Sequence, residues 1–234
     1  MDRRTFHRLC GGLLGGAAVL HRELAAAGEK VATEAPQPRS RLVHGDETPL
    51  TLADLAPGDA WIFHYPYRTT PCFLVRLGDE TRDGEGWPGG LDEDGSVVAF
   101  SAICSHKMTH PARPISHIAY RADPVEFVDR DGVRRTRAGL ISCCSERSVY
   151  DPADGARVLS GPAPQPLAAI RLALDGDGTI AATASVGRDR YEDFLDAFGF
   201  RLALEHGQSD VRRRAGASVV AIPATEFSRQ QIRC

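Results

Sequence analysis

The sequence predicts an all-β protein, an antiparallel β-sandwich that carries a helical extension at its C-terminus. From residue 50 onward, short apolar runs rich in β-branched and aromatic residues alternate with turn signals. Asp-Gly pairs stand between several of these runs, at residues 94–95, 131–132, 154–155 and 177–178. Short strands at this spacing are typical of sandwiches and barrels.

Individual apolar runs give the expected strands. They lie at residues 61–65, 72–75, 97–100, 125–129, 140–142, 156–159, 168–174 and 179–183. Residues 79–96 are rich in Gly, Asp and Glu, which predicts a solvated loop. Beyond residue 186, apolar residues recur near the helical period, at Tyr191, Phe194, Leu195, Phe198, Leu202 and Leu204. We therefore expect residues 186–234 to be a partly helical extension, whose helix packs on the sandwich or binds a partner.

Composition and charge narrow the classes of function. Of the 234 residues, 42% are hydrophobic and 25% are charged, which is ordinary for a soluble globular protein. The formal net charge is −3 and the pI is about 6.2, so the sequence does not have the excess of basic residues that is typical of nucleic-acid-binding proteins. We expect no nucleic-acid partner, and a mildly acidic protein is compatible with docking to a basic partner.

The N-terminus has the features of an export signal. The pair Arg3-Arg4 is followed by Phe6, by an apolar run at residues 10–20, and by the small residues 25–27. The apolar run is too short to span a bilayer comfortably. Residues 1–27 therefore predict twin-arginine export to the periplasm, with membrane association if the signal stays uncleaved; an amphipathic N-terminal helix is the alternative.

Residues 28–45 are polar and contain proline, which predicts a linker in front of a domain at residues 46–185.

Two predicted loops of this domain contain residues that can bind a metal. Residues 104–106 (Cys-Ser-His) follow one predicted strand, and residues 143–151 (Cys-Cys-Ser-Glu-Arg-Ser-Val-Tyr-Asp) follow another. A Gly-Pro-Ala-Pro segment comes next, at residues 161–164. This order resembles the cluster-binding domain of Rieske iron–sulfur proteins over about residues 45–185.

The resemblance implies a [2Fe–2S] cluster held by two cysteines and two histidines. In this sequence Cys104 and His106 match the ligands of the first loop. The family's hydroxyl donors to the cluster sulfurs match Ser148 and Tyr150. The proline loop that covers the cluster and helps exclude water from it matches Gly161, Pro162 and Pro164.

The second loop departs from the family pattern, because no histidine stands where the family has one. Alignment on the Ser-Val-Tyr-Asp segment places Cys143 at the thiolate position and Glu146 at the histidine position. Alignment on Cys144 places Arg147 there instead. A carboxylate binds iron readily, although it is a harder ligand than imidazole, whereas a guanidinium stays protonated and binds metals poorly.

Three further arrangements stay open at this point. Both Cys143 and Cys144 could bind, the missing imidazole could come from His110 or His117, or the site could be empty. In many members of the family a disulfide also ties the two loops together. The two positions of its cysteines hold Thr109 and Ser145 in this sequence, so we expect this disulfide to be absent and the loops to be looser.

The resemblance implies an exported iron–sulfur protein that transfers single electrons as a subunit of an oxidoreductase complex. Its partner would be a periplasmic cytochrome or a membrane or periplasmic oxidoreductase subunit. The alternatives are a Rieske-fold scaffold or assembly subunit with a degenerate site, and a structural zinc site. A Rieske oxygenase needs a further domain with a 2-His-1-carboxylate iron site, and residues 186–234 contain only one histidine, His206.

Overall fold

A computed structural model describes residues 35–78, 81, 87, 89–93 and 95–234. The predicted export signal and the first part of the predicted linker, residues 1–34, lie outside the described residues. The described strands are β1 (Ala35–Val43), β2 (Ala60–His64), β3 (Pro71–Arg76), β4 (Val97–Ser101), β5 (Ile118–Arg121), β6 (Val125–Val128), β7 (Arg134–Arg137), β8 (Leu140–Cys143), β9 (Ser148–Asp151), β10 (Arg157–Ser160), β11 (Ala169–Leu174), β12 (Ile180–Val186), β13 (Ser218–Val220) and β14 (Ile222–Pro223). The described α-helices are α1 (Tyr191–His206) and α2 (Ala224–Phe227).

The strands form three sheets. The largest has eight strands in the order β13-β1-β12-β11-β4-β3-β2-β14, and its neighbours are antiparallel except for the parallel pair of β1 and β13. A second sheet has the order β10-β9-β8-β5, and β6 and β7 form a separate hairpin. The all-β prediction is confirmed, and each strand expected from an apolar run overlaps an observed strand.

Both faces of the central strands are buried, which explains why they appear in the sequence as continuous apolar runs. On β3, Phe73 and Val75 face one hydrophobic core, while Cys72 and Leu74 face another. Successive side chains of a strand point to opposite faces, so one strand can contribute to two cores. The first core lies between the two larger sheets and contains Cys104 and Cys143.

The predicted C-terminal helix is present as α1, over residues 191–206. Its buried residues Phe194, Leu195 and Leu202 pack with Ile103, which lies just after β4. Leu204 does not belong to this packed face, because 69% of its surface is exposed. The helix thus packs on the fold beside the first predicted metal-binding loop. No helix in the described part of the chain has the length and hydropathy needed to cross a membrane.

One sequence-based boundary needs a correction. Residues 35–43, predicted as part of a linker, form β1, which pairs with β12 and buries Leu42 completely. The prolines of β1 hide it in the sequence, and its register with β12 shifts between Pro36 and Ser40. The C-terminal extension is partly helical, as expected, and it also contains β13 and β14, the two edges of the largest sheet.

The predicted loop at residues 79–96 is only partly described. Residues 79, 80, 82–86, 88 and 94 lie outside the described residues. Of the others, Trp87 packs against the core and its ring centroid lies 6.1 Å from that of Phe100. Leu91 pairs with Val97, and its N–H donates to the Val97 carbonyl at 2.7 Å. The expectation of a solvated loop is therefore wrong for these two residues.

Truncation of a buried residue in β1 tests whether this strand is part of the folded sheet. We expect Leu42→Ala to lower the free energy of unfolding by roughly 2–5 kcal/mol, because it leaves a cavity in the second core. The matched control is Leu174→Ala in β11, where the leucine is 43% exposed. Urea unfolding of both variants gives the comparison, and an equally small loss at both sites would contradict the assignment of β1.

Candidate metal centre

The first loop places Cys104 in a closed turn directly after β4. The Cys104 N–H donates to the Thr109 carbonyl at 2.8 Å, and the Met108 N–H donates to the Cys104 carbonyl at 2.9 Å. Met108 adopts a positive φ of 58°, which allows the chain to reverse within this turn. The Cys104 side chain is almost fully buried as a result.

The second loop is the turn of the β8–β9 hairpin. Cys143 is the last residue of β8 and lies opposite Ser148, the first residue of β9. Arg147, just before β9, has a φ of 56°, a left-handed conformation that glycine adopts more easily. In the Rieske pattern a glycine stands at this position, so the backbone of the hairpin suits the alignment that starts at Cys143.

The structure brings the thiols of Cys104 and Cys143 into contact. The hydrogen bond from Cys143 lowers the pKa of the Cys104 thiol. The same contact, together with burial, raises the pKa of Cys143 well above its usual range. The two thiols therefore titrate as a coupled pair: the contact favours loss of a first proton and disfavours loss of a second.

Tyr150 on β9 completes the surroundings of this thiol pair. Its hydroxyl lies 3.1 Å from Cys104 Sγ, and it accepts the Ser105 N–H at 3.3 Å. Because the hydroxyl oxygen accepts from Ser105, its own proton is available to the Cys104 sulfur. Burial raises the pKa of Tyr150, so this residue remains a neutral hydrogen-bond donor.

The proline segment at residues 161–166 covers both loops. A Cβ added at Gly161 would lie 2.5 Å from the Arg147 carbonyl oxygen and 2.6 Å from Ser148 Cα, so only glycine allows this approach. At the other end of the segment, the Gln165 carbonyl accepts the Ser105 hydroxyl at 2.7 Å. The exposed residues Pro162 and Pro164 flank Ala163, which is buried in the first core.

Two polar atoms of the site are buried without a hydrogen-bond partner among the described residues. They are the Nδ1 atom of His106 and the hydroxyl oxygen of Ser148. A buried polar atom normally has a partner, because desolvation without one costs about 1–3 kcal/mol. These two atoms belong to two of the residues that the motif singles out, and an imidazole nitrogen with a free lone pair is a metal ligand.

Glu146, the candidate for the missing histidine, forms an ion pair with Lys107 of the first loop. This hydrogen bond to Lys107 lowers the pKa of Glu146, so its carboxylate is ionised. The Lys107 side chain is exposed and the Glu146 side chain is half-buried. The ion pair links the outer ends of the two loops and offsets the charge of the carboxylate.

Two of the alternative ligands are used elsewhere in the structure. Cys144 forms a disulfide with Cys234, so its predicted role as a metal ligand is incompatible with this bond. His110 donates from Nδ1 to the Met108 carbonyl, and its Nε2 accepts from Arg201 at 3.1 Å. The backbone carbonyl of His117 accepts the Cys144 N–H at 2.6 Å, a bond that does not involve the His117 imidazole.

Arg190 holds the first loop from the side of the helix, and the sequence analysis missed it. Its guanidinium donates to the carbonyl of Ser105 at 2.7 Å and to that of His106 at 3.4 Å. Arg190 and Ser105 are 85 residues apart. No local sequence signal identifies Arg190, because it contacts backbone carbonyls that any residue of the loop would present.

The residues fit a [2Fe–2S] group by the chemistry of their donor atoms. Cys104 and Cys143 supply two adjoining sulfurs, and His106 supplies an unpartnered imidazole nitrogen on the first loop. Glu146 carries the remaining oxygen donor on the second loop. In the described part of the chain, no three His, Cys, Asp or Glu side chains already converge into a group that could hold a metal ion.

Among the solved structures that are similar to this chain are two Rieske proteins. No family model matches the chain. The chain is similar to the soluble domain of the Rieske protein II (soxF) from Sulfolobus acidocaldarius, with 26% identity, a TM-score of 0.42, and coverage of 64% of this chain and 78% of that one. It is also similar to the quaternary ammonium Rieske monooxygenase CntA, with 14% identity, a TM-score of 0.32, and coverage of 72% of this chain and 37% of that one.

Substitution of Gly161 tests the close packing of the proline segment on the second loop. Gly161→Ala and Gly178→Ala both place alanine at a positive φ, 83° and 82°, which costs roughly 1–2 kcal/mol each. At Gly178 no atom lies within 4 Å of the added Cβ, whereas at Gly161 the backbone of the loop must move. We expect Gly161→Ala to be less stable by a further 1–3 kcal/mol or so in urea unfolding. Equal losses would contradict the contact.

The contact between the Cys104 and Cys143 thiols predicts an unusual pH titration of the metal-free protein. Thiolate absorbance near 240 nm should appear below the ordinary pKa of a thiol, because the bond from Cys143 stabilises the charged form of Cys104. Cys143→Ser should weaken this low-pH step and Cys104→Ser should remove it. Cys72→Ser is the control, since burial raises the pKa of Cys72. A single step at the ordinary pKa in the unsubstituted protein would contradict the pairing.

Proposed function

We propose that this chain is an exported Rieske-type iron–sulfur protein that transfers single electrons. One observation carries the proposal. Two loops that are far apart in sequence bring the Cys104 and Cys143 thiols together next to the Tyr150 hydroxyl, while His106 Nδ1 is left without a partner among the described residues. In this proposal the two cysteines bind one iron of a [2Fe–2S] cluster, and His106 and Glu146 face the other.

Such a cluster supplies reversible one-electron chemistry. The chain supplies its ligands, its surroundings and its orientation. Both cysteines are buried in the core between the sheets, which excludes water from their sulfurs. Arg190 and Gln165 hold the first loop through Ser105, so the ligands of that loop are fixed before any metal binds.

The electrostatics of the site act in opposite directions on the ease of reduction. The Tyr150 hydroxyl lies beside the Cys104 sulfur, and the unpartnered Ser148 hydroxyl would donate to a sulfur of the cluster. Both donors stabilise negative charge on sulfur and so favour reduction. Glu146 brings a negative charge where the Rieske pattern has a neutral imidazole, which disfavours reduction. Lys107 offsets part of this charge. We therefore expect a reduction potential below that of a two-histidine centre.

The site lies close to the protein surface, as electron transfer to another protein requires. His106 and Glu146 are half-buried, and the neighbouring Lys107 and Arg147 are exposed. The partner we propose is a periplasmic cytochrome or an oxidoreductase subunit in the periplasm or membrane. Export rests on the sequence of residues 1–27, which the described part of the structure does not include.

A second candidate function is a non-redox scaffold or assembly subunit. Two observations favour this function, because each gives a candidate metal ligand another partner. Glu146 forms an ion pair with Lys107, and Cys144 forms a disulfide with Cys234. In that case the thiol pair would be a buried structural feature or, with His106, part of a zinc site.

Electron paramagnetic resonance on dithionite-reduced protein tests the proposal. The protein should be exported natively from a bacterium with an intact twin-arginine pathway, and its iron, sulfide and zinc contents measured. We expect two irons and two sulfides per chain and a Rieske-like signal. Cys104→Ser and Cys143→Ser should each abolish the iron and sulfide content and the signal, because each removes a thiolate ligand. Glu146→Ala should shift or abolish the signal if the carboxylate is the fourth ligand.

Two matched variants serve as controls for the ligand assignment. Arg147→Ala tests the other alignment of the second loop and should leave the signal unchanged. His117→Ala removes an imidazole that we place outside the ligand set and should also be neutral. A well-folded protein that contains no iron and no sulfide would contradict the electron-transfer proposal and support the scaffold function. One zinc ion per chain would indicate a structural zinc site.

A further inference from the structure

The last seven residues form a segment, the C-terminal strap (residues 228–234), that runs beside the chain leading into β5. Hydrogen bonds join the strap to this chain along its length. They are the bonds from Ser228 Oγ to the Ala112 carbonyl (2.8 Å), from the Arg229 N–H to the Arg113 carbonyl (2.9 Å), from the Ser116 N–H to the Gln230 carbonyl (2.8 Å), and from the Ile232 N–H to the Ser116 carbonyl (2.8 Å).

A buried cation also holds the strap in place. Arg121 on β5 is 8% exposed, and its guanidinium donates to the Ile232 carbonyl of the strap. A second contact reaches the Gln231 side-chain oxygen at 3.4 Å. A buried guanidinium needs such acceptors, because burial of a charge without partners is costly. The strap is therefore part of the folded structure and positions its final residue.

That final residue, Cys234, is bonded to Cys144, with 5.6 Å between the two Cα atoms. Cys144 is the first residue of the second loop and directly follows Cys143. Its backbone N–H is held by the His117 carbonyl at 2.6 Å. The disulfide consequently attaches the strap next to the residue whose thiol contacts Cys104.

We propose that the C-terminal strap and the Cys144–Cys234 disulfide form a redox-dependent clamp on the second loop. The description of this loop as metal-binding rests on the proposed function, but the clamp itself requires no metal. With the disulfide formed, the chain position beside Cys143 is fixed covalently to the strap. With the disulfide broken, the strap and the second loop are held by non-covalent contacts.

The opening step is a thiol–disulfide exchange with a dithiol reductant. One thiolate of the reductant attacks one sulfur of the Cys144–Cys234 bond, which releases the other cysteine as a thiolate and leaves a mixed disulfide. The second thiolate of the reductant attacks the reductant sulfur of this mixed disulfide and releases the second cysteine. Two electrons and two protons pass from the dithiol to the protein, which gives two protein thiols and the disulfide of the reductant. Such a clamp is open while thiols are kept reduced, and in an oxidising compartment it closes by the reverse exchange, in which a disulfide oxidant takes up the two electrons and two protons.

Hydrogen exchange measured by mass spectrometry on the full-length, metal-free protein tests the clamp. In the Cys234→Ser variant, the amide hydrogens of residues 143–148 and 229–234 should exchange at least tenfold faster than in the unsubstituted protein. Dithiothreitol added to the unsubstituted protein should give the same acceleration, because it breaks the same bond. Residues 180–186 in β12 should not change, since local opening leaves the rest of a fold protected.

Arg233→Gln is the matched control within the strap. It removes only the exposed ion pair of Arg233 with Asp123, at 3.3 Å, and should leave the exchange of residues 143–148 unchanged. If the Cys234→Ser variant does not fold, the experiment with dithiothreitol still tests the clamp, because the reductant breaks the disulfide in the unsubstituted protein. Unchanged exchange of residues 143–148 after reduction would overturn the proposal. Free thiols at both Cys144 and Cys234 in peptide mapping of the exported protein would do so too.

Iron-loaded protein gives a second readout that separates the two proposals. If the cluster is present, its loss to a chelator should be at least fivefold faster after Cys234→Ser than after Arg233→Gln. Equal rates of loss, with exchange of residues 143–148 also unchanged, would overturn the clamp. If no iron binds, the proposed function fails, whereas accelerated exchange in the metal-free protein still supports the clamp.

Discussion

The contact between the Cys104 and Cys143 thiols is the interaction on which the rest of the site depends. One cysteine follows a strand of the largest sheet and the other ends a strand of the second sheet, so packing of the two sheets brings them together. Both are buried in the core between the sheets, where burial disfavours a second negative charge. The Cys143 thiol and the hydroxyl of Tyr150 are hydrogen-bond partners of the Cys104 thiol.

The surroundings of the pair act mainly on the backbone of the loops. Arg190 binds two carbonyls of the first loop, the Gln165 carbonyl accepts the Ser105 hydroxyl, and Gly161 lies against the backbone of the second loop. These contacts fix where the loops lie and leave their side chains free to change. If Glu146 is a cluster ligand, as we propose, it changes the charge of the site more than the conformation of the loop, which these backbone contacts hold.

The second loop is better anchored than its sequence implies. Comparison with the Rieske pattern predicts looser loops, because the positions of the usual disulfide hold Thr109 and Ser145. The structure instead ties Cys144 to Cys234, 90 residues away, and pairs Glu146 with Lys107 of the first loop. The loop is thus attached both to the C-terminus and to the opposite loop. One disulfide and one surface ion pair therefore add to the backbone contacts that hold this loop.

The sequence by itself determined the β class, most strands of the two larger sheets, helix α1, and the two loops that carry Cys104 and Cys143. These features are local, since strand and helix periodicity and the spacing of Cys104 and His106 are readable within a few residues. Only the tertiary structure decided that β1 belongs to the sheet, that Cys143 rather than Cys144 meets Cys104, and that Arg190 supports the first loop. Such partners are distant in the chain, and packing of the whole fold selects them.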